Sequence, residues 1–283
     1  MASYSIIFRE ISTGVYKMRQ SYIFWLEFAQ TSFLVLIMCL SIVVNIQARD
    51  ITEGMIGYWP LDGDAKDVSG NDYHGELTKG VKWEANGKVG GAADFDGAGS
   101  HIKVAHKDLT PEVRDFTVVT WINGYKANNW AAFVSARGNG NSAYWMGYHG
   151  DTDTLTYVYN NNAANTWDWK ESIKIPKDTW ALVAVAIEEK KATAYAYTAK
   201  TKKLEMAENK IEHIKQSFLN FVFGKDDCCG TRFYQGMLDE IMMFERTLDK
   251  EEIMQLATIG LNVESKNKLA TSWGKIKDSH ALN

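Results

Sequence analysis

From Ile56 onward the chain reads as short runs in which apolar and polar residues alternate, each bounded by Gly, Asn or Asp. A period of two is the mark of a strand with one buried face. The pattern predicts strands at Ile56–Leu61, His74–Thr78, Ala92–Asp96, His101–Val104, Phe116–Asn123, Ala131–Ala136, Ser142–His149, Thr154–Tyr159, Ser172–Ile175, Trp180–Glu188, Ala192–Thr198, Phe218–Gly224 and Gln235–Phe244. Turn residues separate them, as at Ser69-Gly70-Asn71-Asp72, Asn86-Gly87 and Asn160-Asn161-Asn162, where Gly and Asn supply the positive φ of tight turns. No repeat of fixed period is visible, which argues against a propeller or solenoid.

One segment changes period. Asp249-Lys250-Glu251-Glu252 fits a capping box, with Leu248 and Ile253 at the staple positions and Gly260 as the stop. It predicts a short helix with Ile253, Leu256 and Ala257 on one face, packed beside the last strand. Beyond Leu261 the chain is polar, but Leu269, Trp273 and Ile276 keep one helical stripe. That tail, 262–283, reads either as a frayed end or as a docking segment.

The N-terminus is of another kind. Phe33 to Val44 is an uncharged apolar run, with Lys17 and Arg19 before it and Ala48 after it. This is the layout of a secretory signal peptide over residues 1–48, with Met18 as an alternative start. An uncleaved membrane anchor is the other reading, although the run falls short of the roughly 18–20 residues that span a bilayer. The chain is therefore expected to be secreted, extracellular or periplasmic, with no stable membrane span once the signal is removed. The rest divides into one domain over 49–261 and the tail.

Composition narrows the classes. The chain has 283 residues and is 46% hydrophobic, with ten Trp and thirteen Tyr, enough for one large core whose aromatics favour strands. Net charge is −4 with no long basic run, so nucleic acid is not the expected partner. Two cysteines follow the signal, Cys228 and Cys229, and they are adjacent. Neighbouring Cα atoms lie about 3.8 Å apart, below the usual disulfide range. A vicinal disulfide would strain the backbone, and free thiols or an intermolecular bridge stand beside it.

Six stretches resemble, in order, the laminin-G-like, concanavalin A-like jelly-roll family in its lectin and pentraxin branch. They are Gly57–Gly63, Asp67–Gly75, Gly90–Gly97, His101–Val104, Phe116–Ile122 and Phe233–Ile241, the last followed by the capped helix. The resemblance implies an all-β fold, a two-sheet antiparallel jelly-roll sandwich with one short C-terminal helix. It also implies a calcium site at the sandwich edge. Carried onto this chain, that site has Asp239 as a side-chain ligand, Asp62 assisting and carbonyls around Asp96 and Gly97. Ca²⁺ takes about six to eight oxygens. The alternative is that Asp62 and Asp96 cap turns and that backbone N–H groups hold Asp239.

Candidate ligand contacts are aromatic. Tyr144, Met146 and Tyr148 share one strand face, Leu155, Tyr157 and Tyr159 another, and Trp167 and Trp169 follow the Asn-rich loop. Tyr157, Tyr159, Asn161, Trp167 and Trp169 are the expected glycan contacts, with Tyr157 and Tyr159 read as exposed. The alternative is that period-two aromatics fill the core. For catalysis, retaining glycosidases need two carboxylates about 5–5.5 Å apart. The glucanase motif E-x-D-x-x-E is absent, and Asp239, Glu240 and Glu245 form the nearest acidic group. His74 and His101 fall in the family's structural motifs. The reading is an exported, non-catalytic module that binds carbohydrate or a surface protein, as in adhesion. A diverged glycoside hydrolase or lyase and a structural envelope component are the alternatives.

Overall fold

The computed structural model describes residues 50–261, except 79, 127–129, 139–142, 160–165, 167, 168, 170, 171 and 229; for 106–111 only the backbone is described. From Ile51 onward the described residues belong to one compact unit, which holds both sheets. The expected signal peptide and tail lie outside the described residues.

Fourteen strands are described: β1 (Met55–Trp59), β2 (Glu76–Thr78), β3 (Lys82–Glu84), β4 (Ala92–Asp96), β5 (His101–Val113), β6 (Phe116–Lys126), β7 (Ala132–Arg137), β8 (Ala143–Tyr148), β9 (Leu155–Tyr159), β10 (Ala181–Glu188), β11 (Lys191–Thr198), β12 (Lys203–Asn209), β13 (Gln216–Phe223) and β14 (Gln235–Phe244). They form two antiparallel sheets. Sheet A has eight strands in the order β12-β11-β10-β6-β14-β4-β3, with β1 also on β14. Sheet B has six, β2-β5-β13-β7-β8-β9. The all-β two-sheet jelly roll expected from the sequence is the observed fold. Two strands had no counterpart in the sequence reading, β3 and β12. The expected strand at Ser172–Ile175 is reduced to one bridge, Lys174 to Thr154.

Alternation places one set of side chains between the sheets. Trp59, Phe95, Phe116, Ile122, Val185 and Ile241 from sheet A meet Val104, Phe133, Tyr144, Tyr157 and Phe221 from sheet B in one core. Trp59 stands edge-on to Phe223, at 5.0 Å between centroids, and its indole N–H donates to the Tyr73 carbonyl. The Asp67–Gly75 stretch is structural. Asp67 accepts from the backbone N–H groups of Tyr58, Ser69 and Tyr73, and its own N–H donates to His74 Nδ1.

The opposite face of sheet A is also apolar. Val119, Trp121, Leu182, Ala184, Tyr197 and Met242 form a second cluster, sealed by helix α1 (Lys250–Thr258). The capping box is formed as the sequence predicts. Asp249 accepts from the Glu252 N–H at 2.9 Å, and Glu252 accepts from the Asp249 N–H at 3.0 Å. Ile253, Leu256 and Ala257 are its buried face. Arg246 ties the helix to the sheet, donating to Glu252 Oε2 and to the Glu53 carbonyl and ion-pairing with Glu252 Oε1 at 2.8 Å. Among the described residues no helix is long and apolar enough to cross a membrane.

Candidate functional site

Two polar regions interrupt this apolar plan. The first is a β-bulge on β14. Asp239 pairs with Trp121 and Met242 with Val119, so three steps on β14 oppose two on β6. The extra residue, Glu240, takes φ +54°. A bulge breaks the alternation, and both Asp239 and Glu240 turn away from the core. They are 0% and 3% exposed. Glu240 accepts from the Tyr58 hydroxyl at 2.9 and 2.8 Å. Asp239 Oδ2 accepts from the N–H groups of Lys88 and Val89 at 2.7 and 2.9 Å, while its Oδ1 is buried with no partner.

The β3–β4 turn closes over this bulge, and Asp62 holds the same turn by accepting from the Gly91 N–H at 2.5 Å. Glycine is required here. A Cβ at Gly87 would lie 1.8 Å from the Gly91 carbonyl oxygen, and one at Gly90 would lie 2.4 Å from Asp62 Oδ1. Burial pushes Asp239 up to about 7; the Glu240 and Asp62 charges add to this, and the two N–H donors oppose it. Burial likewise pushes Glu240 up to about 7, against the Tyr58 hydrogen bond.

The second region is the outer face of sheet B. Lys103, Val222, Ser135, Trp145 and Val158 form one row across five strands. Ala132, Trp145 and Val158 make a small cluster apart from the core, with Trp130 packed on it. Trp130 holds φ +61°, a conformation side chains rarely accept. Its ring lies 6.1 Å from Trp145 and 4.5 Å from His149, with the Arg232 guanidinium 5.8 Å away. Beside it Asp226, 1% exposed, accepts from Arg137 at 2.7 Å and Arg232 at 3.0 Å. The Cys228 N–H donates to the same carboxylate at 3.1 Å. Cys228 is disulfide-bonded, and Cys229 lies outside the described residues.

The structure brings Asp62 and Asp239 together and leaves Asp96 and Gly97 apart. Asp96 pairs with Gln235, four residues from Asp239 and so about 13 Å along the strand. It accepts from the Ala98 and Ser100 N–H groups and the Ser100 hydroxyl, as a turn cap does. Among the described residues no three His, Cys, Asp or Glu side chains are gathered so as to hold a metal ion.

The expected exposure of Tyr157 and Tyr159 is wrong. Both are 0% exposed, because Leu155, Tyr157 and Tyr159 turn to the inner face and their hydroxyls find partners there. Tyr157 meets His213 at 3.0 Å, and Tyr159 donates to the Val113 carbonyl at 2.8 Å. Trp169 is also buried, edge-on to Tyr157. Asn161 and Trp167 lie outside the described residues. The aromatics on the other face of sheet B were missed: Trp130, half-buried, and Trp145, which lies beneath it at 2% exposure. Their signal was alternation itself: Trp145 sits between Tyr144 and Met146, so once those two fill the core it must face the other way.

The fold and its rim turns define a jelly-roll sandwich of the kind that carries recognition surfaces on a rigid scaffold. A laminin G model of the concanavalin A-like lectin/glucanases superfamily matches residues 96–254, more than half of the chain, and the chain belongs to that superfamily. No curated protein matches the sequence. Domain 4 of AbnA, a GH43 extracellular arabinanase from Geobacillus stearothermophilus, solved with arabinotriose, is similar in structure. Its TM-score is 0.54 at 18% identity, over 72% of this chain and 98% of that one. The botulinum neurotoxin serotype G binding domain gives 0.54 at 17% identity, over 72% and 51%. The binding domain of botulinum neurotoxin DC, solved with rat synaptotagmin II, gives 0.53 at 14% identity, over 75% and 53%. The chain thus spans about half the length of the toxin binding domains. At these identities the likeness is one of fold.

Proposed function

We propose that this chain is an exported, non-catalytic binding module that recognises carbohydrate or a surface protein through the outer face of sheet B. The observation that carries the reading is the half-buried group of Trp130, His149 and Arg232, which lies over the buried Trp145 and beside the Asp226 ion pairs. Aromatic rings and planar guanidinium groups next to a carboxylate suit sugar rings and hydroxyls, and they suit protein hot spots equally. Two similar structures support both ligand classes, one solved with arabinotriose and one with synaptotagmin II.

The buried acids do other work in this reading. Asp239 and Glu240 are enclosed and engaged with Lys88, Val89 and Tyr58, which suits them to holding the β3–β4 turn and not to flanking a glycosidic bond. Calcium belongs to the same proposal. The unpartnered Oδ1 of Asp239 is a buried acceptor that fits such an ion, with Asp62 beside it. A melting midpoint that rises with calcium and returns with chelator supports it; an unmoved midpoint removes it. A glycan array with and without calcium tests the binding itself. Array binding that Trp130→Ala abolishes is the expected result. Reducing-sugar release from a polysaccharide panel would favour the hydrolase reading instead.

A further inference from the structure

His213 lies on the segment 210–215, which leaves β12 in sheet A and enters β13 in sheet B. It is 1% exposed. Its backbone N–H donates to the Glu189 carbonyl at 2.7 Å, so the strap is fixed to the end of β10. The ring is fixed as well. Nδ1 lies 3.0 Å from the Glu188 carbonyl oxygen, a partner that only accepts, so Nδ1 carries the hydrogen. Nε2 then presents a lone pair, 3.0 Å from the Tyr157 hydroxyl, and Tyr157 must donate. The Tyr157 oxygen accepts in turn from Asn209 Nδ2 at 3.1 Å. This chain of hydrogen bonds is complete for a neutral imidazole and has no place for a second ring proton.

The described residues around it do not supply a counter-charge. β9 presents Tyr157 and Tyr159, whose rings lie 5.9 and 5.4 Å from the imidazole. β10 and the turn after it present carbonyls, since the Glu188 carboxylate reaches Lys191 and the Glu189 carboxylate reaches Arg114. β12 presents Asn209. Next to His213 on its own strap, Lys215 reaches Glu112 on β5, and Glu212 is exposed. Gln216, at the start of β13, turns its amide back to the Ile214 and Lys215 carbonyls.

We propose that His213 is an acid-operated latch between the two sheets. Protonation at Nε2 sets two donors against the Tyr157 oxygen and leaves the Tyr157 hydrogen without an acceptor. The strap 210–215 then releases and the sandwich edge opens over Tyr157, Tyr159 and Trp169. Burial pushes the imidazole below its ordinary 6.5, with the Glu188 carbonyl pulling the other way. The folded state therefore binds this proton less readily than the unfolded chain. Stability is fully present above the ordinary value and is lost as pH falls below it toward the folded value.

Amide hydrogen exchange on the full chain, corrected for intrinsic rates, tests the latch at about pH 7.5 and about pH 5. The strap amides, His213 included, should exchange on the order of tenfold faster at the lower pH, while β6 and β10 stay protected. His213→Gln should remove the difference. Equal protection of the strap at both pH values would overturn the latch, as would an unchanged difference in His213→Gln. Should that variant fail to fold, Tyr157→Phe decides. This substitution removes both the oxygen on which the two donors meet and the hydrogen left without an acceptor, so the pH difference in strap exchange should shrink, and an unchanged difference would sink the proposal.

Discussion

The outer faces of the two sheets solve one problem in opposite ways. Sheet A covers its outer face with its own chain. Helix α1 lays Ile253, Leu256 and Ala257 on Val119, Trp121, Leu182 and Tyr197, and the buried surface stabilises the fold in proportion to its apolar area. Sheet B covers its outer face with rings and ions instead. Trp130 sits on Trp145, and Asp226 joins Arg137 to Arg232. A face sealed by a helix is committed to stability. A face closed by a half-buried, strained Trp and by guanidinium groups that keep 27% and 20% exposure leaves polar and aromatic groups within reach of a ligand. That contrast, more than the shared fold, is the ground for proposing recognition on sheet B.

Substitutions on the two faces should therefore differ in size. Trp121→Ala removes a ring that is 2% exposed, edge-on to Tyr197 at 6.1 Å and under the Lys88 ammonium at 4.6 Å. The expected loss is about 3–5 kcal/mol in denaturant unfolding. Asp226→Ala on the other face leaves two guanidinium groups without their shared carboxylate. Their side chains keep 27% and 20% exposure, so water takes up part of the charge. The loss should be about 2 kcal/mol, below that of a fully buried pair. An Asp226 variant as damaging as Trp121→Ala would erase the distinction between the faces.

Much of this was legible before any coordinates. Five of the six family stretches fall on strands, because each pairs a turn signal with an alternating run; the sixth, Asp67–Gly75, is the loop between β1 and β2. The helix was legible to the residue, since Asp249 and Glu252 specify both ends of one reciprocal pair of hydrogen bonds. What was missed was edge and face. β12 reads Lys-Leu-Glu-Met-Ala-Glu-Asn, and as an edge strand it carries charge that hides its alternation. β3 is three residues with one Trp. Tyr157 and Tyr159 were placed on the wrong side because tyrosine suits either: a ring for the core and a hydroxyl that His213 or Val113 can satisfy inside. The bulge had a signal. Leu238-Asp239-Glu240-Ile241 breaks the period of two by one residue, which is what an inserted residue does.

The helical seal can be loosened without touching the sheet. Asp249→Ala removes the acceptor for the Glu252 N–H and leaves the apolar face intact. A loss of about 1 kcal/mol is expected, read as a lower melting midpoint, with binding on sheet B unchanged. A change in ligand affinity would mean that the two outer faces are coupled, and the division drawn between them would fail.

Trp130 offers the finest test, because its backbone and its ring pull in different directions. At φ +61° a residue with a side chain is strained by an amount on the order of 1 kcal/mol, and glycine is not. Trp130→Gly gives up the contacts with Trp145, His149 and Arg232 but regains that strain. The two effects are of similar size, so stability should move by less than about 1 kcal/mol. Ligand binding should nevertheless disappear. A strained aromatic whose loss the fold barely registers has been kept for something other than folding. If Trp130→Gly instead destabilises as much as Asp226→Ala while binding persists, the ring belongs to the seal of sheet B, and recognition must be sought elsewhere on the rim.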